Sequence, residues 1–110
     1  TGRRKVTRLQ DIAADLMLEF KDHEVEVFRA VLLNKKNELM KIVEVSRGGL
    51  DVTLAAPRDV FRQAIREGAA AVIICHNHPS GDPEPSESDR RLTFRLVEAG
   101  KILGIDVLDH

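Results

Sequence analysis

Apolar residues recur along the chain with periods of about 3.6 and of two residues, which predicts both helices and strands. Residues 25–33 and 39–45 are rich in β-branched and apolar types, and the polar residues 34–38 between them fit a hairpin loop. After a turn at residues 47–49, residues 51–55 predict a weaker strand. Before these strands, residues 9–20 have helical spacing, with one face formed by Leu9, Ile12, Ala13, Leu16, Met17 and Phe20.

The second half of the chain alternates helix and strand patterns. A helix is predicted from Pro57 to residue 67, ending at Gly68, and residues 69–75 form an apolar run typical of a strand buried on both faces. A second helix is predicted over residues 86–103, followed by Gly104 and a strand beginning near Ile105. This alternation predicts an α/β layer architecture in one domain. The predicted apolar helix faces comprise Val60, Phe61, Ala64 and Ile65, then Leu92, Leu96, Val97 and Ala99.

Composition narrows the functional classes. The 110 residues include 17 Lys+Arg and 18 Asp+Glu, a net charge of -1, so the chain has no global field that would attract nucleic acid. Trp and Tyr are absent, which leaves few rings on which bases could stack. The single cysteine excludes a disulfide framework and a multi-cysteine zinc site. With no apolar run of membrane-spanning length and no signal peptide, we expect a cytoplasmic protein.

The candidate chemistry lies in residues 76–89, directly after the predicted central strand. His76 and His78 are two residues apart and can both reach one point in space, and Asp89 in the first turn of the next helix can close on it. Two His and one Asp form a common zinc set that leaves a fourth position for water, as catalytic sites do. Sites of α/β proteins also lie beyond the ends of central strands.

Each of these residues also has a structural interpretation. A histidine near a strand end is often a hydrogen-bonded or surface residue, and the pair alone is a weak signal. Ser86 and Asp89 have the spacing of a helix capping box, with Asp in place of the usual Glu. Cys75 fits a small buried apolar residue. The coincidence of spacing over the whole segment favours the metal site.

The segment contains His76-x-His78-Pro79, then six residues, then Ser86-x-x-Asp89. This motif resembles the zinc motif of the JAB/MPN (JAMM) metalloprotease superfamily. The finer sequence resembles the bacterial RadC family, in the segment HNHPSGDPEPSESDRRLT and its continuation to AGKILGIDVLDH. This resemblance extends from about residue 9 to the end of the chain. The resemblance implies a mixed sheet flanked by helices, with layering like that of cytidine deaminases. RadC-like proteins usually carry an upstream helix-hairpin-helix segment and continue past the final Asp-His pair. We therefore expect a basic lead-in over residues 1–8 and a JAB/MPN domain over residues 9–110 that lacks its last strand.

The resemblance assigns His76, His78 and Asp89 as ligands of one zinc ion, with water as the fourth ligand. It assigns Glu26 as the base that activates this water. On a strand Glu26 would share a face with Phe28, Ala30 and Leu32, but Glu24 has the same parity and is the rival base. Ser86 would donate a hydrogen bond to the oxyanion of the intermediate, or cap the helix, or do both.

The implied function is zinc-dependent hydrolysis of a peptide or isopeptide bond in an unidentified substrate. The alternative is a non-catalytic accessory or interaction module linked to DNA repair, although the charge and the lack of aromatic residues argue against nucleic-acid binding by this domain alone. A zinc nucleobase deaminase would need a Pro-Cys-x-x-Cys pair, which a chain with one cysteine does not have. No membrane partner is expected, and an exposed sheet edge offers a route to a homo-oligomer.

Overall fold

The computed structural model describes residues 5, 11, 27–47, 52–76 and 87–109, with side chains for all of these except 46, 47, 52–56, 88, 89 and 109. Strands and helices alternate in this part of the chain, which confirms the predicted α/β fold. The predicted helix over residues 9–20 lies outside it, Asp11 excepted. The elements in chain order are β1 (Val27–Leu33), β2 (Leu39–Arg47), α1 (Val52–Glu67), β3 (Ala71–His76), α2 (Glu87–Leu103) and β4 (Asp106–Asp109).

The four strands form one mixed sheet in the order β2-β1-β3-β4. Strand β1 is antiparallel to both β2 and β3, whereas β4 is parallel to β3. The β1–β3 register is unbroken from Phe28 opposite His76 to Leu33 opposite Ala71. Strand β3 therefore has a partner on each side, and its side chains are buried on both faces from Ala71 to Cys75, which explains why this run is apolar without interruption.

The β1–β2 hairpin closes through the predicted polar loop. The Asn34 side-chain oxygen accepts hydrogen bonds from the backbone amides of Lys36 and Glu38, at 2.9 and 3.0 Å. Its Nδ2 donates to the Glu38 carboxylate at 2.9 Å. Asn37 adopts a φ of 59°, a left-handed conformation that asparagine tolerates better than most residues. Asparagines at both positions thus stabilise the turn that sets the register of the hairpin.

Helix α1 begins earlier than the sequence pattern predicts. Residues 52–55 form its first turn, so the prediction of a weak strand over residues 51–55 is wrong. Pro57 lies inside the helix and removes only the hydrogen bond to the carbonyl of Thr53, one turn from the helix start. The apolar residues Val52 and Leu54 alternate as they would in a strand. Strand propensity depends strongly on context, so a segment this short does not determine its own secondary structure.

Both helices pack against the same face of the sheet. This face and the helices share a core of buried apolar side chains, whereas a second cluster lies on the opposite face. Ile65 was predicted in the helix core but is 59% exposed, because it lies about 90° around the helix axis from the centre of the buried stripe. The main cluster includes Phe28, Ala30, Leu32, Val72, Ile74, Val60, Phe61, Ala64, Leu92 and Leu96, and the second includes Val31, Leu33, Ala71, Ile73 and Cys75.

Glycines end both helices as predicted. Gly68 and Gly104 follow α1 and α2 with φ values of 71° and 73°, the left-handed conformation of a helix C-cap. The chain can therefore turn directly from α1 toward β3 and from α2 toward β4. None of the described helices is both long enough and apolar enough to cross a membrane.

Candidate metal centre

His76 is the last residue of β3, and its imidazole is half-buried with the Nε2 atom buried. The ring stacks on the ring of Phe28, with 4.9 Å between centroids and 6° between planes. These two residues are directly opposite in the β1–β3 register, which places both side chains on the same face. Phe28 is 1% exposed, so a ring fixed in the core holds the imidazole.

The face that carries His76 is the one covered by the helices. Phe28 belongs to the apolar cluster that also contains Leu92 and Leu96 of α2. The imidazole therefore lies at the end of the sheet, in the layer between β3 and the helices. On the opposite face, Cys75 is 4% exposed and its thiol donates to the carbonyl oxygen of Arg29 at 3.7 Å. This confirms Cys75 as a small buried residue directed away from the histidine.

The β3–α2–β4 crossover brings the start of α2 to this end of the sheet. Because β3 and β4 are parallel, the helix that joins them runs back along the sheet. Its first turn is thus at the edge where β3 ends with His76. Asp89 is the third residue of α2, so its backbone is in that turn.

The start of β1 reaches the same edge from the other side of β3. Since the two strands are antiparallel and Phe28 pairs with His76, β1 begins where β3 ends. Glu26 directly precedes Val27, the first residue of β1. Phe28, Ala30 and Leu32 are buried on the helix-covered face, in agreement with the predicted parity. Glu26, Glu24, His78 and Ser86 themselves lie outside the described residues.

Comparison with known proteins shows the family of the chain. The family model described as RadC-like JAB domain matches residues 6–110. The chain belongs to the RadC-like JAB domain family. The expected resemblance to RadC is therefore confirmed, whereas the division into residues 1–8 and 9–110 stays a prediction.

This RadC-like JAB domain is similar to bacterial relatives that carry the name UPF0758 protein. It is 54% identical over 92 residues to the relative from Geotalea uraniireducens, covering 84% of this chain and 40% of the relative. It is 52% identical over 109 residues to that from Moorella thermoacetica, covering 99% of this chain and 48% of the relative. The Clostridium beijerinckii relative is 46% identical over 106 residues, 96% of this chain and 46% of its own length. The domain thus spans less than half the length of these relatives.

The donor types of the predicted ligands in the RadC-like domain fit a zinc ion by their chemistry. His76 presents a ring whose Nε2 atom is buried and whose face packs against the ring of Phe28. Two imidazoles and a carboxylate are a zinc donor set. Among the described side chains, no three His, Cys, Asp or Glu residues are close enough to hold a metal, but His76 is the only predicted ligand in that group.

Phe28 is a neighbour of the candidate ligand His76 that the sequence pattern does not reveal. The pattern marks it only as an apolar strand residue, because its neighbour His76 is 48 positions away and becomes adjacent only when β1 pairs with β3. The signal in the sequence that could have pointed to Phe28 is the strand parity that it shares with Glu26. It shows the common face of the two residues but not the strand that lies opposite.

Proposed function

We propose that this RadC-like domain is a zinc-dependent hydrolase of the metallopeptidase or isopeptidase type, with His76, His78 and Asp89 as the residues that would hold one zinc ion. The observation that carries the proposal is the pairing of Phe28 with His76, combined with the parallel β3–α2–β4 crossover. Together they support a common edge of the sheet for the start of β1 at Val27, the end of β3 at His76 and the first turn of α2. Family membership supports the same assignment.

The β1–β3 register supports Glu26 as the base more than Glu24. Glu26 is one residue before Val27, where β1 begins beside the end of β3, whereas Glu24 is three residues before it. The face that Glu26 would share with Phe28 is also the face that carries His76.

The chemistry follows from the roles of these residues. Zinc, when bound, supplies a Lewis acid that lowers the pKa of water and polarises a carbonyl group. Glu26 accepts the proton of the attacking water and returns it to the leaving amine. Ser86 donates a hydrogen bond to the carbonyl oxygen as negative charge develops there. Phe28 keeps the imidazole of His76 from rotating out of its position.

The bond that we expect to be hydrolysed is an amide, either in a peptide backbone or at a lysine side chain.

The cellular compartment that fits the single cysteine is the cytoplasm. An accessory module without catalysis is the competing function, and the experiments below separate the two.

Elemental analysis of the chain purified without chelators or added metal is the first test. We expect close to one zinc per chain for the wild type and loss of the zinc in Asp89→Asn. Glu87→Gln is the matched control, because Glu87 is an exposed carboxylate in the same helical turn and is not a predicted ligand. If Asp89→Asn retains the zinc, or if the wild type binds none after zinc is offered, the assigned metal site is wrong.

Hydrolysis is tested with a library of fluorogenic peptides and a set of lysine-branched isopeptides. Glu26→Gln should keep the zinc and lower the rate on any cleaved substrate by about 100-fold or more, since a positioned general base contributes about that much. Glu24→Gln is the control that separates the two candidate bases and should leave the rate within about twofold. A zinc-loaded domain that cleaves no member of either set would favour the accessory module.

A further inference from the structure

The outer surface of α2 carries a groove that the proposed hydrolysis does not use. Glu87, Arg90, Arg91, Phe94 and Arg95 line it, with a volume of about 410 Å³. Phe94 is 66% exposed, although it is a large apolar side chain on a helix whose other face supplies the core. The combination of an exposed aromatic ring with three arginines is typical of an interaction surface.

This groove is on the side of α2 opposite the sheet. Leu92 and Leu96 face the core, whereas Phe94 is about 160–200° around the helix axis from them. Asp89 precedes Phe94 by five residues, which separates their positions by about 140° around the same axis. A partner in the groove would therefore lie behind the helix and not over the proposed metal centre.

The charges of the groove favour an anionic partner. Three of its lining residues are arginines, and among the residues that the structure describes Glu87 supplies the one carboxylate of the lining. The Glu87 carboxylate is 3.8 Å from Arg90, and both side chains are largely exposed, at 71% and 66%. An exposed pair of this kind contributes little to stability, so an incoming carboxylate can replace it at low cost.

We propose that this groove binds an acidic polypeptide segment in which carboxylates flank an apolar side chain. Arginine binds carboxylates through paired hydrogen bonds, and Phe94 offers an exposed apolar contact beside the arginines. A single nucleic-acid strand is a poorer match, because it needs several rings for stacking and an uninterrupted positive track. The lining residues include one ring, and Glu87 interrupts their positive charge.

The test is fluorescence anisotropy with a short labelled peptide of Glu, Asp and Leu, acetylated and amidated at its ends. The same peptide with Gln and Asn in place of its acidic residues, and a short oligo-dT, are the comparison probes. The titrations are made with a chelator present, so that binding does not depend on zinc and its outcome is separate from that of the proposed hydrolysis. We expect the acidic peptide to bind more tightly than either comparison probe, with an affinity that falls as salt is added.

Arg91→Glu should lower the affinity for the acidic peptide by about tenfold, since one attraction is lost and one repulsion is added. Phe94→Ala should lower it by about threefold to tenfold by removing the apolar contact, and its exposure means that the fold is retained. Arg58→Glu is the matched control, because Arg58 is exposed on α1 and the change in charge is the same. The proposal is wrong if the wild type does not bind the acidic peptide, if oligo-dT binds more tightly, or if Arg58→Glu and Arg91→Glu have the same effect.

Discussion

Replacing Phe28 with leucine tests whether the aromatic stack holds the histidine of the proposed metal centre. The Phe28 ring is 1% exposed and lies 4.9 Å from the His76 imidazole with nearly parallel planes. Leucine keeps an apolar side chain in the core but removes the ring surface against which the imidazole packs. Phe61→Leu is the control, because Phe61 is 4% exposed in the same cluster and, among the described residues, stacks on no imidazole.

The expected loss of stability has two parts. Substitution of one buried apolar side chain for another costs up to about 1.5 kcal/mol in unfolding free energy. Loss of an aromatic stack adds about 0.5–1.5 kcal/mol. Phe28→Leu should therefore lower the unfolding free energy by about 0.5–3 kcal/mol. Phe61→Leu should lower it by the packing part alone, up to about 1.5 kcal/mol. Removal of a contact that orients a metal ligand commonly lowers metal affinity by about tenfold or more. We therefore expect the zinc affinity to fall by about tenfold in Phe28→Leu and to stay unchanged in Phe61→Leu.

The measurements are urea denaturation with a chelator present, followed by zinc titration against a competing chromophoric chelator. The denaturation reports the packing and the titration reports the orientation of His76. Equal zinc affinities for Phe28→Leu and Phe61→Leu would refute the reasoning, even if both variants were less stable. Such a result would mean that the stack contributes to the core and not to the site.

Three further predictions concern the fold and are checked by urea denaturation. Gly100→Ala should lower the unfolding free energy by about 1–2 kcal/mol, because a Cβ there would collide with the carbonyl oxygen of Ile105. This collision outweighs the gain in helix propensity. An unchanged or higher stability would contradict the prediction. Leu96→Ala should cost about 2–5 kcal/mol by leaving a cavity, whereas Ile65→Ala on the exposed side of α1 should change stability by less than about 0.5 kcal/mol. Asn34→Ala should cost about 1–2 kcal/mol, since two backbone amides of the hairpin loop lose their acceptor, and a neutral result would show that water replaces it.

Much of the fold could be predicted from local patterns. The hairpin of β1 and β2, the buried strand β3 and both helix-ending glycines were predicted because periodicity, turn residues and the left-handed conformation are properties of short segments. The predictions failed at residues 52–55 and at Ile65. The pattern at residues 52–55 fits both a strand and a helix, and the helical period at Ile65 does not determine how far around the axis the buried stripe extends.

In the proposed site, too, some features follow from the sequence alone and others only from the tertiary structure. The motif at residues 76–89 was sufficient to recognise the family, because fixed spacing of unusual residues is a property of the chain itself. Only the tertiary structure decided that the beginning of β1, the end of β3 and the first turn of α2 meet at one edge, and that Phe28 stacks on His76. Strand pairing and helix crossover join residues that are far apart in sequence, so neither the spacing nor the hydrophobic period of any one segment contains that information.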